Sequence, residues 1–157
     1  MLHDKHHFEV TTRWTGNRGT GTSTYRAYGR DHEILAEGKL SPIPCSSSPV
    51  YRGDKDRYNP EELLIAALSG CHMLWVLHLC ADAGIVVTDY RDEAEGTMDL
   101  NPDGSGQFSE VVLRPILRIA DGSRAASLDD IHHRAHNLCF IARSVNFPVR
   151  CEPRTET

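Results

Sequence analysis

Sulfur and imidazole are the groups through which this chain can do chemistry. Its 157 residues include five cysteines, Cys45, Cys71, Cys80, Cys139 and Cys151, and nine histidines. No two cysteines form a CxxC pair and their number is odd. That disfavours a secreted disulfide framework and favours reduced or redox-active thiols in a cytosol. Cys71 sits in the middle of NPEELLIAALSGCHMLWVLHLC, residues 59–80, and Cys139 directly follows Ala135-His136-Asn137-Leu138. Taken singly, each reads first as a structural core filler, because free cysteine is among the most buried residue types. His132, His136 and Cys139 are spaced HxxxHxxC on one helical face, and Cys71 or His72 would complete a tetrahedral zinc set. The plainer reading of His132, His133 and His136 is a polar helix face. For His72 and His78 it is a hydrogen-bonded interior imidazole.

The elements that must position these groups can be read from patterning. Asn59 is an N-cap, Pro60 suits the first helical position, and Glu62 lies where a capping box wants a carboxylate. Gly84 supplies the C′ stop. The helix between them is apolar on every face and must be covered all round. Leu63–Ala81 has nearly the length of a membrane span, but Ser69, Gly70, His72 and His78 lie inside it, so a buried soluble helix is expected. Upstream, Phe8–Trp14 alternates as a strand, TGNRGTG turns, Thr22–Tyr28 returns as a second strand and Glu33–Gly38 gives a third. Residues 41–58 form a long loop. Downstream, Ile85–Asp99 and Phe108–Ala120 are strands joined by NPDGSG. Leu128–Leu138 is a second helix. Val145–Cys151 closes as a strand, at an edge because of Pro148.

The order β-β-β-α, then β-β-α-β, predicts a single α+β domain over residues 1–157, with residues 1–7 a disordered polar start. A net charge of −5 argues against nucleic acid or an anionic membrane as partner. The first residues lack a signal-peptide pattern, so a cytoplasmic location is expected.

Residues 59–71, Asn-Pro-Glu-Glu-Leu-Leu-Ile-Ala-Ala-Leu-Ser-Gly-Cys, resemble the signature of the OsmC/Ohr family of thiol-dependent hydroperoxide reductases. That signature is an NPE helix start and a peroxidatic cysteine ten positions after the first glutamate. AHNLCFIARS resembles the family's second landmark, a resolving cysteine late in the chain, and Trp14-x-Gly16 its early strand-turn. One departure is Phe140, where many members have proline. The resemblance implies an OsmC-like fold, two sheet-and-helix halves around a long buried central helix, in an intertwined homodimer. It implies that Cys71 attacks a hydroperoxide and that Cys139 resolves the product as a disulfide. An external dithiol of lipoyl type would reduce that bond, with no bound cofactor and no metal. An arginine held by Glu61 would activate Cys71; Arg52, in VYRGD, and Arg18, in TGNRGTG, are the two candidates, with Arg26 and Arg30 outside them. Ten residues of helix at about 1.5 Å each put Glu61 roughly 15 Å from Cys71. Glu61 of one chain can therefore serve Cys71 of another where two such helices pack antiparallel. Apolar neighbours Met73, Leu74 and Trp75, with Tyr51 or Tyr58, would favour organic hydroperoxides. Cys80, about half a turn from Cys71 in angle, is expected to fill core.

Overall fold

Asn59 and Glu62 exchange hydrogen bonds at the start of the long helix. The Glu62 amide donates to Asn59 Oδ1 at 2.8 Å, and the Asn59 amide donates to Glu62 Oε2 at 3.1 Å. This reciprocal cap satisfies two otherwise orphaned donors and fixes where α1, Pro60–Asp82, begins. Gly84, at φ 68°, turns the chain out of it in the left-handed region that glycine enters without penalty. The computed structural model describes residues 4–156. Of the expected disordered start, residues 1–3 lie outside the described residues, and residues 4–7 form neither helix nor strand. The chain divides into two compact units, residues 1–63 and 64–157.

In the first unit, β1 (Thr11–Trp14), β2 (His32–Leu35) and β3 (Ile43–Cys45) form an antiparallel sheet in that order. The expected strand over Thr22–Tyr28 is absent; those residues are turns and bends. Local side chains take the backbone groups a ladder would need. Asn17 Oδ1 accepts from the amides of Gly19 and Gly21. The Arg30 guanidinium donates to the carbonyls of Tyr25 and Tyr28 while lying against both rings, 4.5 and 4.0 Å from their centroids. The third strand instead comes from the expected loop, at Ile43–Cys45.

Trp14 and Gly16 anchor this loop. Trp14 Nε1 donates to Gly29 O at 2.8 Å, and the Gly29 amide donates to Gly16 O at 2.8 Å. A Cβ on Gly16 would lie 2.0 Å from Gly29 O, a backbone atom that cannot swing away. Gly16→Ala is therefore expected to destabilise the protein by about 1–3 kcal/mol, read as a lower urea midpoint at unchanged slope. An unchanged midpoint would contradict this packing.

In the second unit, the two long strands expected from sequence are each broken in two. The chain runs β4 (Val87–Asp92), β5 (Glu95–Leu100), β6 (Gly106–Leu113) and β7 (Pro115–Ile119). It is one long hairpin folded across its middle, β4 pairing with β7 and β5 with β6. At the fold, Asp92 Oδ1 accepts from the Arg114 amide at 2.7 Å, Asp92 Oδ2 accepts from Ser69 Oγ at 2.6 Å, and Pro115 brings no N–H. After α2 (Leu128–Leu138), β8 (Val149–Cys151) adds parallel to β6 at a sheet edge, as Pro148 predicts. An unexpected last strand, β9 (Arg154–Glu156), adds parallel to β7.

Each of the two sheets of the second unit has its own small core. Leu68 packs with Phe108, Val111 and Leu113 over β5-β6-β8. Val76, Leu79 and Cys80 pack with Leu117, Ile119, Leu128, Ile131 and Ala135. Cys80 thus fills core as expected. Cys71 and His72 fall between these clusters along α1. The central helix is buried on one stripe only, Leu68, His72, Val76, Leu79 and Cys80. Ala67, Leu74, His78 and Ala81 are exposed, at the three- and four-residue spacing that puts them on one face with Cys71.

Candidate active site

The C-terminal turn of α2 carries Cys139 back to α1. Cys139, the residue capping α2, is buried with an extended backbone, and its sulfur accepts from the Ala142 amide at 3.4 Å. Burial, and after it the neighbouring Cys71 thiol, pushes the Cys139 thiol above its ordinary pKa. The two thiols, 68 positions apart in sequence, are therefore neighbours in the fold, and both are free. Cys71 is half-buried, the more accessible of the two.

Beside Cys71 opens a cavity of about 330 Å³ lined by Cys71, Leu74, Trp75, His78 and Phe140. Trp75 and Phe140 meet edge to face, centroids 5.8 Å apart at 84°. Leu74 and Trp75 were expected to shape the pocket; Met73 does not line it. Phe140 and His78 were not expected there. Phe140, the departure from proline, is 69 % exposed and supplies one wall. His78 is an exposed residue 3.4 Å from Asp82, not an interior imidazole, because its position falls on the open stripe of α1.

The remaining candidates lie in the first unit. Arg52 follows the short 3-10 helix Pro49–Tyr51 with φ 65°, an uncommon conformation for a residue with a side chain. Arg18 is exposed in the Gly-rich turn, and Glu61 is half-buried in the first turn of α1. Among the described residues none of the three makes an ion pair, whereas Arg57 reaches Asp31 at 3.7 Å and Asp54 at 3.9 Å. Tyr51 and Tyr58 also belong to this unit and are exposed.

A second cluster was not foreseen as such. The suggested zinc quartet of Cys71, His132, His136 and Cys139 does not assemble among the described residues. Instead His72, His132 and Cys151 converge, each ligand atom within 4.8 Å of the others. His132 is buried, not part of a polar face, while His133 is exposed and bonded to Asn137. Only the pairing of His72 with His132 was foreshadowed by the sequence; Cys151 had no assignable partner there.

Burial lowers the pKa of both His72 and His132 from the ordinary 6.5 to about 4. Between those values the unfolded chain binds protons that the folded chain does not, so stability rises with pH there. It is complete above about pH 6.5 and is lost as pH falls toward 4. In chelator-treated protein the urea midpoint is expected to drop between pH 7 and 5, with a shallower dependence in His132→Gln. A flat profile would contradict the neutral pair.

The comparisons agree with this architecture. Residues 53–154 match the family model described as OsmC-like protein. The chain is 27 % identical to the uncharacterized protein YmaD of Bacillus subtilis strain 168 over 140 residues, 88 % of this chain and 81 % of that one. It superposes on an OsmC-like protein of unknown function from Vibrio cholerae with TM-score 0.85 and 32 % identity, covering 95 % of this chain and 99 % of that one. An organic hydroperoxide resistance protein from Legionella pneumophila shares the fold at TM-score 0.67 and 16 % identity, covering 98 % and 100 %. With a model match over most of its length and a whole-chain structural relative at that identity, this chain belongs to the OsmC-like family.

Proposed function

We propose that this protein is a cysteine-based peroxidase that reduces organic hydroperoxides to alcohols. The observation that carries the reading is the proximity of Cys71, on the lining of an apolar cavity, to the buried Cys139. The family's fold also occurs in organic hydroperoxide resistance proteins. Cys71 as thiolate attacks the outer peroxide oxygen: the O–O bond breaks, an S–O bond forms, and the alkoxide leaves as alcohol after taking a proton. Cys139 then attacks the Cys71 sulfenic acid, giving a disulfide and water. An external dithiol, of lipoyl type in this reading, reduces that bond by exchange. Leu74, Trp75 and Phe140 receive the hydrocarbon part of the substrate, and no cofactor is needed.

Activation of Cys71 requires a cation, because an ordinary thiol is mostly protonated at neutral pH and dipole effects fade within a helix's first turn. We assign this to Arg52 or Arg18, held by Glu61. The open stripe Ala67–Cys71–Leu74–His78–Ala81 supports a homodimer in which two α1 helices pack antiparallel and Glu61 of one chain serves the other's site. Light scattering is expected to give twice the 17.5 kDa chain mass; a monomer with full activity would remove the shared-site arrangement. We place the protein in the cytoplasm, where its thiols are kept reduced.

The function is tested by following an organic hydroperoxide with the purified protein and dihydrolipoamide. Saturable consumption dependent on both is expected, and no consumption above the dithiol alone would refute the assignment.

A further inference from the structure

His72 on α1, His132 on α2 and Cys151 on β8 meet in the interior of the second unit, away from any role in peroxide chemistry. His72 Nε2 lies 3.1 Å from His132 Nδ1 and 3.5 Å from Cys151 Sγ, and Cys151 Sγ lies 4.0 Å from His132 Nδ1. Zinc bonds of about 2.0–2.1 Å to nitrogen and about 2.3 Å to sulfur, arranged tetrahedrally, put two nitrogens about 3.3 Å apart and a nitrogen and sulfur about 3.5 Å apart. The observed triangle is close to this.

From this triangle we infer that His72, His132 and Cys151 form a binding site for a divalent d-block cation, with Zn²⁺ the best-matched ion.

Three features support it. The ligands stand on three regular elements, so their positions are held by the core and not by a loop. Two imidazoles and a thiolate suit zinc, cobalt or copper and not the hard ions magnesium or calcium. Finally, a cavity of about 340 Å³ lined by Asp129, His132, His136 and Cys151 gives an entry path and room for a fourth, exchangeable ligand. Asp129 and Asp92 lie near enough to act electrostatically on His132 and Cys151 respectively, which offsets part of the ion's charge.

The metal-free arrangement has its own logic, and one defect. The imidazole planes are 13° apart with centroids at 5.4 Å, so the facing nitrogens share one N–H···N bond. The other nitrogen of the His132 ring, Nε2, is buried without a partner. An ion sits off the line between the nitrogens, toward Cys151, so both rings swing to face it, and the shared proton moves to the other nitrogen of the ring that carried it, leaving both imidazoles neutral. Binding forms two Zn–N bonds and one Zn–S bond and releases the Cys151 thiol proton. No electron moves.

The test is X-ray absorption on the full-length reduced protein loaded with one equivalent of Zn²⁺. One sulfur at about 2.3 Å and two imidazole nitrogens at about 2.0 Å are expected. A shell with no sulfur would point to the N-terminal histidines, and one with two sulfurs to Cys71 and Cys139; either overturns the inference. In parallel, Zn²⁺ titration should show affinity weakened by about tenfold or more in Cys151→Ala and in His132→Gln. Affinity equal to wild type in both would also overturn it. The absorption measurement needs no variant to fold.

Discussion

Cys71→Ser protein is expected to consume no hydroperoxide above background, whereas Cys139→Ser protein consumes at most two equivalents per chain and then stops. The difference follows from their positions. Cys71 is the half-buried thiol facing the cavity of Trp75 and Phe140; Cys139 is buried behind it, with its thiol pushed above the ordinary pKa. Only a thiolate attacks the peroxide, so loss of Cys71 removes the reacting atom, and a serine hydroxyl does not replace it. Without Cys139 the Cys71 sulfenic acid still forms. It is then open to a second peroxide, which carries it to the sulfinic acid. Mass spectrometry after excess peroxide should show two added oxygens on Cys71 in Cys139→Ser and a disulfide in wild type. Steady turnover in either variant equal to wild type would end the two-cysteine mechanism.

The second large effect concerns the cation. One of Arg52→Ala and Arg18→Ala is expected to lower kcat/KM by roughly 10²–10³, the scale on which one preorganised electrostatic group acts, and the other by a few-fold at most. The effective variant should also raise the pH at which Cys71 reacts with an alkylating agent, which a merely structural change would not do. Glu61→Gln should produce a weaker form of the same shift, because in this proposal Glu61 positions the guanidinium without touching the sulfur. Both arginines are exposed and neither is ion-paired within the described residues, so each is free to take the role. Wild-type kinetics in both substitutions would mean that Cys71 is activated by something else.

How much of this was legible beforehand depended on whether the signal was local. The α1 start was readable because Asn59, Pro60 and Glu62 carry its capping chemistry within four residues. The Leu128–Leu138 helix was equally local. The strand expected over Thr22–Tyr28 failed because Arg30, beyond the segment, takes its carbonyls, a competition that β-propensity does not record. The single long strands became pairs because Asp92 and Pro115 fold the hairpin, and a carboxylate accepting from the Arg114 amide leaves no periodic trace. That Cys71 and Cys139 lie near each other was foreshadowed only by a motif resemblance. Phe140 entered as an anomaly and emerged as a cavity wall. Cys151 shows the limit most clearly: its partners His72 and His132 lie 79 and 19 positions away, on different elements, at no recognisable spacing.

The account's central claim is tested most directly by counting thiols. Fully reduced, denatured protein should titrate five, and after one equivalent of an organic hydroperoxide per chain it should titrate three. Peptide mapping without reductant should then join the segment containing Cys71 to the segment containing Cys139. Five surviving thiols, or a bond that joins a different pair such as Cys71 and Cys151, would contradict it.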